Sequence, residues 1–218
     1  MPLPMVHLYV AKNIYDLGLK DIDLPQFYLG TISPDAIHMR DNSDRNDKNK
    51  VHLIPVEKKW SDIDENKYYE FIFEYVKMNQ YNVNMNFLWG YIIHILTDMH
   101  WTKKIYNDFK DKYKNDSSPI QDERMAYYND TDKLDQILFN EGGNCVKNIW
   151  KYLNNSKSIN FLDILSENEI NLWKERTLHW YDSGESKHKN PIRYITKIDI
   201  QNFINEYSKI IFEKINGL

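Results

Sequence analysis

The chain has a single cysteine, Cys145. No disulfide can form within it, so it reads as a protein of a reducing compartment and is expected in the cytoplasm. Cys145 follows Glu141-Gly142-Gly143-Asn144, a turn entering a helix, with no base beside it in sequence. It reads as an ordinary half-buried thiol rather than a nucleophile. Glycine and proline are also scarce, at seven each in 218 residues. No useful stretch alternates with the two-residue period of a strand, which argues against a β architecture. Charge of either sign is not in excess: the formal net charge is −4. A chain so near neutrality has no global electrostatic pull toward DNA or anionic membrane. Long apolar runs are missing as well. The longest surrounds Leu88 to Leu96, too short to span a bilayer, and it includes His94. The opening Met1-Pro2-Leu3-Pro4 lacks the basic and apolar regions of a signal peptide. These absences predict a soluble, cytoplasmic protein with no membrane span.

What is present is apolar and aromatic. The hydrophobic fraction is 42 %, with sixteen Tyr, nine Phe and six Trp, enough area to offset the entropy of ordering the chain. The spacing predicts helices over 5–17, 25–32, 64–80, 84–112, 120–139, 144–154, 166–179 and 198–216. In the helix over 64–80, Tyr68, Phe71, Ile72 and Tyr75 are predicted to form the buried side. The short helix over 25–32 is expected to end at Ser33-Pro34. Residues 39–50, MRDNSDRNDKNK, read as a solvated loop, as does 181–192. From Phe87 to Trp101 the chain is apolar nearly all round, which makes this helix central. The predicted class is all-α: residues 1–218 as one multi-helix domain packed around the 84–112 helix.

The chemistry lies mostly within that helix. Phe87, Tyr91, His94, Asp98, Trp101 and Ile105 follow steps of three and four and share one face. A carboxylate in such a face is costly unless compensated. The compensator is either a cation held by both His94 and Asp98, one turn apart, or a hydrogen bond from the histidine or an arginine. His100 points away from this face and reads as packing or surface. A second stretch, Leu29-Gly30-Thr31-Ile32-Ser33-Pro34-Asp35, lets the backbone approach closely at Gly30 and presents Asp35 from a proline turn. His38, three residues on, reads as a supporting or substrate-facing residue. His7 and His52 each stand alone among apolar residues. Three histidines and two aspartates in such settings are what a two-metal nitrogen and oxygen site needs.

Taken in order, Met5-Val6-His7-Leu8, Leu29-Gly30 through Asp35, the lone His52, and Gly90-Tyr-Ile-Ile-His94-Ile-Leu-Thr-Asp98-Met-His-Trp101 resemble the zinc-dependent phospholipase C family. That family shares its all-helical fold with single-strand-specific zinc nucleases. The C-terminal Ile195 to Glu206 is similar to the end of small intracellular members. The resemblance implies a metal-dependent phosphodiester hydrolase acting on a small-molecule or lipid-derived phosphodiester. It implies that His94, Asp98 and His52 bind one zinc. Asp35 would bridge it to a second ion as the catalytic carboxylate, and His7 would bind that second ion.

Secreted members use a mature N-terminal Trp as a metal ligand, where this chain has Met1-Pro2. Position 104 is Lys where a third-ion histidine is expected, and His179 is followed by Asp182 rather than by a carboxylate four residues on. Two ions are therefore expected rather than three, with His179 and Asp182 as supporting residues. The alternatives are a nuclease-like phosphodiesterase, for which nucleic acid is the less favoured partner, and a non-catalytic metal-binding or scaffold protein.

Overall fold

The computed structural model describes residues 2–55 and 58–216. Its elements are α1 (Pro4–Leu17), α2 (Leu24–Ile32), α3 (Arg45–Val51), α4 (Glu65–Asn79), α5 (Met85–Trp101), α6 (Asn107–Lys114), α7 (Glu123–Glu141), α8 (Gly143–Asn155), α9 (Glu167–Leu178) and α10 (Lys197–Asn216). Among the described residues there is no strand, only an isolated bridge between Phe161 and Leu165, and the fold is all-α as predicted. No helix of the described residues is long and apolar enough to cross a membrane.

The predicted central helix is α5 continued through a π-helical turn, Thr102–Tyr106, into α6. Asn84 caps its start, its side chain accepting from the N–H groups of Asn86 and Phe87. Every residue from Gly90 to Trp101 is buried. From the π turn onward only Ile105 and Phe109 stay buried, as the helix leaves the core. The core closes around α5: α2 crosses it, α1 lies against both, and α10 covers α1.

Two glycines set the α2–α5 crossing. A Cβ on Gly30 would lie 2.0 Å from the carbonyl oxygen of Phe87, and one on Gly90 would lie 2.0 Å from that of Phe27. Only hydrogen at both positions lets the two backbones touch.

The short helix α2 ends at Ile32, before Ser33-Pro34, as expected, and the chain then tightens into a 3₁₀ helix, Ser33–Met39, which accepts a proline in its first turn. Two local expectations are corrected. The polar stretch 39–50 is not wholly loop. Asp44 and Asp47 form a reciprocal capping box, each side chain accepting the other's N–H at 2.9 and 3.1 Å, and α3 starts there. In α4 the buried side is Tyr68, Tyr69, Ile72 and Val76, whereas Phe71 is 43 % exposed.

Two carboxylates of α7 tie the fold to its site. Asp135 accepts the Met5 N–H at 3.0 Å, at the start of α1, together with the Tyr181 hydroxyl. Asp130 accepts the N–H groups of Tyr194 at 2.7 Å and Ile195 at 3.0 Å. Both are buried, and both answer backbone donors that would otherwise be orphaned.

Candidate metal centre

Each histidine of the cluster is set by a different element. His94 sits on α5, where the Gly30–Gly90 contact brings the Thr31 carbonyl of α2 to 2.8 Å from its Nδ1. Pro34, three residues after Thr31, has no N–H to give that carbonyl. His52 ends α3, with its Nδ1 3.0 Å from the Lys48 carbonyl in the helix's last turn. Tyr91 from α5 donates to the Val51 carbonyl and Tyr68 from α4 to that of Leu53, holding this helix end in place. A carbonyl can only accept, so both rings carry their proton on Nδ1 and keep a lone pair on Nε2. His7, on α1, stacks on His94 and is 1 % exposed.

The Nε2 atoms converge on two carboxylates. Asp98 Oδ1 is 3.6 Å from His7, and its Oδ2 is 3.6 Å from His52 and 3.7 Å from His94. Asp35 Oδ1 is 3.6 Å from His52. These separations exceed hydrogen-bonding distance. They lie within a few tenths of an ångström of the spacing, about 3.4 Å, between two atoms that are both ~2.1 Å from one tetrahedral zinc. Two triads, His7–His94–Asp98 and Asp35–His52–His94, place all their ligand atoms within 4.8 Å of one another.

Metal fits this set on chemical grounds. Nε2 of His7, His52 and His94, Oδ1 of Asp35 and both oxygens of Asp98 are buried without a hydrogen-bond partner. Asp98 is fully buried, and burial pushes its carboxyl up to about 7. Burial likewise pulls His94 down to about 4, and burial and then neighbouring His94 hold His7 well below its ordinary value. Burial also disfavours a charged His52, but the facing Asp35 and Asp98 outweigh it and raise that ring. The same contact works on Asp35, where burial is outweighed by His52 and then His94, and the carboxyl is held below its ordinary range. Divalent cations held by these groups would satisfy the lone pairs that the protein leaves without partners.

All five sequence-predicted ligands are thus brought together, though the distances divide the roles differently. Asp98, not Asp35, is the carboxylate whose two oxygens face different partners. Met1, which the resemblance set against the extra ligand of secreted members, lies outside the described residues. His38 stands at the rim, partly exposed, its Nε2 3.9 Å from Asp35 Oδ1. His179 and Asp182 are not brought to the cluster. They pair with each other at 2.8 Å on the surface, beside a 660 Å³ cleft that touches no cluster ligand. His100 is buried on another face, 2.8 Å from the Tyr69 hydroxyl.

The cluster opens through Asp35. A cleft of about 480 Å³ is lined by Asp35, His38, Lys48, Arg176, Trp173 and Trp180, among others. Arg176 lies over both indoles, 5.3 and 5.2 Å from their ring centroids. Sequence reading missed Trp173 and Arg176 in this role, and only the fold brings α9 here. The positioning carbonyls of Thr31 and Lys48 carry no sequence signal of their own. The α3 capping box did, as Asp44-x-x-Asp47.

Fold and cluster together define an all-helical protein whose buried His and Asp side chains can hold a metal ion. No protein-family model, curated protein or solved structure matches the chain.

Proposed function

We propose that this protein is a metal-dependent phosphodiester hydrolase similar to zinc-dependent phospholipase C, holding two divalent ions, zinc by donor chemistry. One observation carries the reading over a purely structural metal site: Asp35 of the buried cluster lines a cleft with cationic and aromatic walls. A structural site is closed by protein ligands, whereas a catalytic one keeps a face open.

His94, His52, Asp98 and Asp35 would hold one ion, and His7 with the other Asp98 oxygen would share in the second. Bound ions of this kind supply Lewis acidity and lower the pKa of water toward neutrality. The chain's residues do the rest. The Thr31 and Lys48 carbonyls keep His94 and His52 in the ligating tautomer. Lys48 and Arg176 put positive charge beside a phosphoryl group entering at Asp35. Trp173 and Trp180 form an apolar wall that limits water.

Elemental analysis of the purified protein, paired with hydrolysis of bis(p-nitrophenyl) phosphate, tests this. The expectation is about two transition-metal ions per chain and turnover, both lost in His94→Ala. Metal without turnover on any phosphodiester would leave a metal-binding scaffold, and no metal after zinc reconstitution would overturn the reading.

A further inference from the structure

A second, smaller cleft of about 230 Å³ adjoins the first at His38 and Lys48 and is also lined by His52. Its composition is one-sided. Arg45, Lys48 and Lys59 line it, and among the described residues no carboxylate does. The chain as a whole carries a net −4, so this local excess of positive charge runs against the global balance.

Several cations elsewhere on this surface are paired. Arg40 meets Glu169 at 2.6 Å, Arg193 meets Asp116 at 2.6 Å, and Lys112 meets Asp199 at 3.4 Å. Among the described residues Arg45, Lys48 and Lys59 have no carboxylate partner. Its lining also includes Trp60. Trp60 is 7 % exposed, is fixed edge-on against Tyr68, and its buried Nε1–H has no acceptor among the described residues. A buried N–H without a partner carries a desolvation cost that a bound acceptor would remove. Three cations without a carboxylate partner and one orphaned donor, with no carboxylate among the described lining residues, describe a pocket for a ligand made of acceptors.

We propose that this cleft binds a phosphate group carried by the substrate in addition to the phosphodiester at the metal centre, so that the substrate class is a phosphorylated small-molecule or headgroup phosphodiester. This rests on the hydrolase reading for the word substrate but not for the binding itself. Lys48, shared by both clefts, would lie between the two phosphates. Its carbonyl already orients His52, so substituting its side chain leaves that support in place.

The test is calorimetric titration of the purified protein with inorganic pyrophosphate. The variants are Arg45→Gln/Lys48→Gln, Trp60→Phe, His94→Ala, and Lys20→Gln as a remote charge control. We expect wild type and Lys20→Gln to bind alike and the double variant to bind at least about tenfold more weakly. Trp60→Phe, which keeps the ring but loses the donor, should weaken binding about fivefold with an unchanged melting temperature. Binding that survives in His94→Ala while turnover is lost separates this pocket from the metal centre. Binding abolished by His94→Ala yet untouched in the double variant would place the ligand on the metals and overturn the proposal, as would no binding to wild type. A mixed-sequence single-stranded oligonucleotide that binds about a hundredfold more tightly than pyrophosphate would also overturn it, in favour of an extended polyanion.

Discussion

The imidazole rings of His7 and His94 lie face to face, with centroids 3.7 Å apart and planes within 3° of parallel. Two protonated rings could not stack so closely in a buried site, and burial lowers the pKa of both, which favours the neutral form. Neutral imidazole is the ligating form. The stack therefore joins α1 to α5 in the state that metal needs.

Removing a ligand from this cluster should show in metal content. His94→Ala and Asp98→Asn are each expected to lose the metal, with a lower melting temperature, because binding of metal is coupled to folding. His179→Ala, on the exposed surface pair, should keep full metal content. Elemental analysis of all three variants checks the assignment, and Asp98→Asn with undiminished metal would break it.

The helix crossing gives a sharper stability test. Gly90→Ala would set a methyl group 2.0 Å from the Phe27 carbonyl oxygen, and backbone cannot yield as a side chain does. The expected loss is about 3 kcal/mol or more in urea denaturation, larger than typical overpacking. A loss below about 1 kcal/mol would mean that α2 and α5 do not touch there.

The cap of α3 should couple stability to the site. Asp44→Ala removes the acceptor for the Asp47 N–H and is expected to cost about 1 kcal/mol. Because α3 ends on His52, the same variant should bind zinc more weakly, while Asp64→Ala, which removes a similar cap from α4, should not. Competition with a chelating dye reads the difference.

His100 predicts a pH dependence that is independent of metal. Burial and then Lys103 hold its pKa down to about 3, against 6.5 in the unfolded chain. Between those values the unfolded state binds the proton and the folded state does not, so stability falls as pH drops from 6.5 toward 3. Above 6.5 the contribution is complete. His100→Gln should flatten this part of the urea-midpoint profile, measured in the metal-free protein at neutral pH and at about pH 4.5.

The histidines and aspartates could be read from the sequence because each is anomalous where it stands. A carboxylate in the Phe87–Ile105 stripe, and a glycine before a Pro-Asp turn, break the local pattern, and such breaks mark sites. The helices followed from periodicity for the same reason, since apolar spacing survives in one dimension. Arg45–Val51 did not, because its sequence offers no apolar stripe and the helix rests on its cap and on the tyrosines that grip its end. The cleft walls were invisible because Trp173 and Arg176 become neighbours of Asp35 only when α9 packs on the 3₁₀ turn. Which aspartate faces both groups depends on rotamers, which spacing does not encode.

The groups that orient His94 and His52 are main-chain carbonyls, those of Thr31 and Lys48. A carbonyl belongs to every amino acid, so residues 31 and 48 can vary widely without deleting the hydrogen bond. The orientation is inherited through the path of the backbone, held by two glycines, a proline and a cap. Substitutions that leave those four in place should drift freely around an unchanged site. Its ancestry would then be recorded in residues that never touch a ligand.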